Sequence, residues 1–93
     1  MYFAIHCKDK PDQPALRPAT RPAHVEYLSS FGGHILIAGP LLGDDGQPNG
    51  SLIVIDLADK AAAEAFAAGD PYNKAGVFAS VTIPPWRKSI PKD

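Results

Sequence analysis

Both alternating faces of the strand-like runs in this chain are apolar, and that property limits its fold more than any other. In Tyr2-Phe3-Ala4-Ile5-His6-Cys7 the odd and even positions are largely hydrophobic, as in a central strand covered on two sides. The runs from His34 to Leu42 and from Ser51 to Leu57 share the property. Gly76 to Ile83 supplies a fourth strand, which Pro84-Pro85-Trp86 ends. A sheet made of such strands cannot leave either face in water.

Two helical segments separate the strands. Thr20 to Phe31 reads as a short amphipathic helix, capped by Thr20. Pro22 falls in its first turn, where a missing N–H costs nothing, and Gly32-Gly33 ends it. The stretch before it, Asp9 to Pro18, is broken by Pro11, Pro14 and Pro18 and reads as a loop. Asp59 caps an alanine-rich helix, Lys60 to Ala68, whose main bulky core contact is Phe66; Gly69 stops it. Gly43 to Gly50 is a polar hairpin loop, and Gly39-Pro40 interrupts the second strand in a way that suits an edge or a bulge.

The order βαββαβ predicts an α+β, ferredoxin-like fold: a four-stranded antiparallel sheet with two helices on one face. The second face then needs a cover, and a second copy of the chain packed sheet to sheet is the simplest one, so a homodimer is expected.

Composition narrows the partners. Ninety-three residues make one domain, and 45% hydrophobic residues place it among globular chains rather than disordered ones. A net charge of −1, with no basic run longer than Arg87-Lys88, argues against a nucleic-acid footprint. No stretch has the length of a membrane span or the pattern of a signal peptide, and the lone Cys7 fits a reducing compartment; a cytoplasmic protein is expected.

His24 is the residue that points to chemistry. At about 100° per residue it faces the same way as Tyr27, Leu28 and Phe31, so its imidazole is directed into the protein. A buried imidazole needs a hydrogen-bond partner, and a carboxylate partner makes a base of it. Topology supplies the candidate. If the first strand runs upward, the first helix starts at the top and the second ends there, so His24 near one helix start meets Asp70 just past the other helix end. Asp70 precedes Pro71, which pushes it out of helical geometry into a turn. Asp9, leaving the first strand, and Gly39-Pro40, ending the second, reach the same rim. A small-molecule cleft near His24 follows from that convergence.

Around the pair, Arg17 or Arg21 could hold an anionic oxygen as a charged fork, and Tyr72 could donate a hydrogen bond or stack. Gly39, without a Cβ, allows a ligand close to the backbone. Other features carry less. His6 and His34 do not form a metal-ligand pattern with His24, so no metal is expected. Cys7 on a central strand reads as an inert core thiol, and Ser29-Ser30 lies far from Asp70, against a serine triad. The loop from Gly43 to Gly50 lacks the lysine and following helix of a phosphate loop. None of these side chains supplies redox chemistry, and no cofactor is expected.

Several motifs occur in a specific order: Arg21-Pro22-Ala23-His24, Ala38-Gly39-Pro40-Leu41, Gly69-Asp70-Pro71-Tyr72 with Lys74-Ala75-Gly76-Val77, and a closing Pro85-Trp86-Arg87-Lys88. Together they resemble the YciI-like (YCII-related) family over nearly the whole chain, from about residue 2 to 88. The resemblance implies a dimeric α+β barrel and a His–Asp pair that maps onto His24 and Asp70. One branch of that family removes chloride from a chlorinated hydroxyquinol in a lyase-type step without a cofactor. The sequence reading is therefore a small cofactor-independent enzyme of lyase or isomerase type acting on a small polar or aromatic metabolite. Its sites are catalytic His24 and Asp70, with Asp9, Arg21, Gly39, Pro40 and Tyr72 binding substrate. The alternative is a non-catalytic dimeric module that binds a small molecule or a protein, in which His24 merely pins its helix to the Asp70 turn.

Overall fold

In a computed structural model, which describes residues 1–91, the chain forms β1 (Tyr2–Asp9), α1 (Leu16–Ser29), β2 (Ile35–Leu42), β3 (Pro48–Asp56), α2 (Lys60–Gly69), α3 (Pro71–Lys74), β4 (Phe78–Thr82) and β5 (Pro85–Trp86). The sheet order is β2-β3-β1-β4 with every pairing antiparallel, the ferredoxin-like arrangement, and the two-residue β5 pairs with the start of β1. Phe3, Ile5 and Cys7 of β1 and Ile53 and Ile55 of β3 are buried under the helices, where Phe66, Ala67, Tyr72, Val77 and Phe78 complete the core. Period-two alternation sends their neighbours to the other face. There Ile37 stands 55% exposed, although Val54 opposite it is buried, so part of this face presents an apolar side chain that the single chain does not cover.

Several boundaries differ from the sequence reading. α1 begins at Leu16, so the last part of the expected Asp9–Pro18 loop is helical: Pro18 sits in the first turn, where its absent N–H costs no bond. Thr20 is therefore no cap. It lies one turn inside α1, its hydroxyl donating to the Leu16 carbonyl at 2.8 Å, while the capping position is Ala15, without a side-chain bond. Pro22 becomes an interior proline, and His24 sits beyond the middle of the helix rather than near its start. β3 starts at Pro48, shortening the hairpin loop to residues 43–47, and β4 starts at Phe78. The expected turn after Asp70 is the short helix α3, a third helix beside the two expected.

Asp59 caps α2 as its position suggests, accepting the Ala62 amide at 2.8 Å. At its other end Gly69 admits Tyr27: a Cβ there would lie 2.5 Å from the tyrosine hydroxyl, which donates to the Phe66 carbonyl. That close approach ties α1 to the end of α2 and so fixes the height of His24 relative to Asp70.

Candidate active site

The site is organised by Asp70. Pro71 holds it in an extended conformation (φ −62°, ψ 126°), so its side chain turns back to cap α3 and accepts the Tyr72 amide at 2.9 Å through Oδ1. The same oxygen lies 2.8 Å from Nδ1 of His24. Asp70 is 2% exposed and His24 8%. An ionised carboxylate can only accept, so Nδ1 carries the proton and the lone pair of the neutral ring resides on Nε2. Nε2 has no hydrogen-bond partner among the described residues, yet no buried side-chain nitrogen or oxygen there lacks one. The nitrogen is therefore reached from outside, through the cleft that His24 lines.

Tyr72 holds the imidazole from the side. Its ring stacks on His24 with centroids 3.8 Å apart at 20°, and the Arg17 guanidinium carbon lies 4.5 Å from the same ring. Arg17 and His24 are seven residues apart on one face of α1, a rise of about 10 Å that leaves room for the tyrosine ring between them. Arg17 in turn makes a two-pronged bond to Asp9, Nε to Oδ2 at 2.7 Å and Nη2 to Oδ1 at 2.9 Å, and Nη2 also donates to Ser51 Oγ at 2.8 Å. The result is one continuous array: Asp9, Arg17, Tyr72, His24, Asp70.

The electrostatics follow from burial. Burial pushes the Tyr72 hydroxyl above its usual range, outweighing the nearby Arg17 cation, so it stays a neutral O–H at physiological pH. Burial opposes the Arg17 charge, but the Asp9 fork prevails and holds the guanidinium ionised. The Cys7 thiol is pushed up to about 12, first by burial and then by the Asp70 charge, which removes it as a nucleophile at neutral pH.

A cleft of about 1160 Å³ runs between α1 and the β2–β3 hairpin. Of the residues singled out from the sequence, Asp9, Arg21, His24, Gly39, Pro40 and Tyr72 border it, while Asp70 stands behind His24. Their circumstances differ. Asp9 is held by Arg17, and Arg17 itself, which sequence reasoning offered as a fork for substrate, is engaged by Asp9 and Ser51. Arg21 makes no ion pair with any described residue. Gly39 pairs with Leu52 and borders the cleft at the sheet edge; a Cβ there would meet nothing within 4 Å, so no neighbour in the chain demands glycine. His6, opposite Thr82, is exposed on the other face of the sheet from His24. Ser51 was missed, because a serine opening an Ile- and Val-rich strand carries no signal of a guanidinium above it.

Comparison with known proteins finds a family for the chain. The model of the YCII-related domain matches residues 1–87. Protein YciI of Escherichia coli O6:H1 is 34% identical over 96 residues, spanning 95% of this chain and 98% of that protein. Among solved structures, 5-chloro-2-hydroxyhydroquinone dehydrochlorinase (TftG) from Burkholderia phenoliruptrix AC1100, in complex with 2,5-dihydroxybenzoquinone, aligns at a TM-score of 0.90 with 31% identity, covering all of both chains. A crystal structure of an antibiotic biosynthesis monooxygenase aligns at 0.54 with 13% identity, over 95% of this chain and all of that one, a likeness of fold alone.

Proposed function

The chain belongs to the YCII-related family, and we propose that it is a small-molecule enzyme whose general base is Nε2 of His24, oriented by Asp70. The observation that carries this reading is the 2.8 Å contact between His24 and a carboxylate that is itself pinned by the Tyr72 amide, beside a cleft of substrate size. The similar structure of a 5-chloro-2-hydroxyhydroquinone dehydrochlorinase supports the reading, since by its name that enzyme eliminates hydrogen chloride.

In the reaction proposed, Nε2 takes a proton from an acidic O–H or C–H of the substrate. The electron pair left behind forms a new π bond. In an elimination the leaving group departs with its own bonding pair; in an isomerisation the proton returns at another carbon. Asp70 stabilises the imidazolium meanwhile, and a base positioned in this way contributes about two to four orders of magnitude in rate. Arg21, Pro40, Gly39 and Tyr72 form the binding surface, and Asp9 serves it indirectly by holding Arg17. Two copies of the chain pack through their open sheet faces, and the buried lone thiol suits the cytoplasm.

The test is turnover of a chlorinated hydroxyquinol, read as chloride release, alongside solvent-deuterium incorporation into a panel of small keto acids. The wild-type protein is expected to act on at least one, and His24→Ala to lose about two to four orders of magnitude while melting at a similar temperature. Turnover that survives His24→Ala, or no turnover on any of them, contradicts the proposal.

A further inference from the structure

The cleft is not uniform along α1. From its N-terminal end, one stripe of the helix presents Arg21, then His24 and Val25, then Leu28. Arg21 and His24 are three residues apart, Val25 four beyond Arg21, and Leu28 four beyond His24, so each is the next one's neighbour, with Cβ atoms about 5–6 Å apart. The order is cation, base, apolar. The facing wall offers Ala38, paired across β2 and β3 with Ile53, which lies buried in the floor of the cleft.

Two other charges close to His24 are engaged. Arg17 is bound to Asp9 and Ser51, and Asp70 to His24 and the Tyr72 amide. Lys8, Lys10, Asp44 and Asp45 also line the cleft, and the two lysines, like Arg21, make no ion pair with a described residue. Of these unpaired cations Arg21 alone shares α1 with His24, one helical turn away along the same stripe.

We infer that the ligand of this cleft is an amphipathic organic anion, its acidic head on Arg21 and an apolar ring or chain against Val25, Leu28 and Ala38. The inference rests on reading the cleft as the substrate site and adds the class of substrate. The reacting proton then lies where head and body join, beside Nε2 of His24. Negative charge that develops as the proton leaves falls next to Arg21, where a charge-assisted hydrogen bond strengthens with it. A wholly polar ligand seated along this stripe would instead lay its polar groups against Val25 and Leu28 without partners.

Binding of three probes by isothermal titration tests this: 3-phenylpropanoate, 3-phenylpropanamide and acetate. The phenyl acid should bind at least about tenfold more tightly than either the neutral amide or the short anion. Arg21→Gln, an exposed position that the fold does not need, should erase the acid-over-amide preference while leaving amide binding unchanged. Val25→Trp, also exposed, should weaken the phenyl acid and spare acetate. Equal affinity for acid and amide, a preference that survives Arg21→Gln, or no binding of any probe at millimolar concentration overturns the inference. Because binding is read without turnover, a correct pattern with no catalysis would count against the proposed reaction and not against the ligand class.

Discussion

At the scale of single residues, the account turns on groups that are buried and yet charged or polar. Asp9 and Arg17 have side chains 13% and 10% exposed and satisfy each other through two bonds. Asp9→Ala should therefore cost about 3–5 kcal/mol in urea unfolding, because it leaves a guanidinium buried without its counter-charge. Cys7, with its thiol pushed up to about 12 by burial, should resist iodoacetamide at pH 8 in the folded protein and react once the chain is unfolded; rapid labelling under native conditions would contradict the burial argument. His24 and Asp70 were legible from the sequence because each carries a local mark, an imidazole on an apolar helix stripe and an aspartate before proline. Arg17 was legible only as a cation near the rim. Its engagement with Asp9 and Ser51 depends on residues distant in sequence that only the folded chain brings together.

At the scale of elements, two departures from the sequence reading share a cause: proline at a helix start does not break the helix. Pro18 in the first turn of α1 breaks no hydrogen bond, so the helix starts four residues before Thr20. Pro71 likewise starts α3 instead of merely shaping a turn. A comparison of caps separates the two readings. Asp59→Ala should destabilise the protein by about 0.5–2 kcal/mol, since it removes the acceptor of the Ala62 amide, whereas Thr20→Ala should change stability by less than about 0.5 kcal/mol. Equal losses from the two would restore Thr20 as a cap. Gly69→Ala belongs at this scale too: its new methyl group would strike the Tyr27 hydroxyl and loosen the α1–α2 contact, with an expected cost of about 1–3 kcal/mol by thermal unfolding.

At the scale of the whole molecule, the same alternation that predicts the fold predicts its assembly. Strands apolar on both sides need two covers; α1 and α2 supply one, and the exposed Ile37 with the half-buried Leu52 marks the face on which the second is expected. Sedimentation should give twice the chain mass at micromolar concentration, and Ile37→Glu should shift it toward the monomer; a wild-type monomer would remove the sheet-to-sheet pairing. No helix among the described residues is long and apolar enough to cross a membrane. The fold also explains why two side chains 46 positions apart in sequence meet: α1 descends from the rim to which α2 returns, and the Tyr27–Gly69 contact sets their level.

The central claim is that Asp70 fixes the proton of His24 on Nδ1 and leaves Nε2 as an accessible base. Long-range proton–nitrogen NMR of the imidazole in the neutral protein reads this directly. The account predicts a single tautomer with the proton on Nδ1 and an unprotonated Nε2, and a mixture of tautomers in Asp70→Ala. A ring protonated on Nε2, or one whose tautomer ignores Asp70, would contradict it.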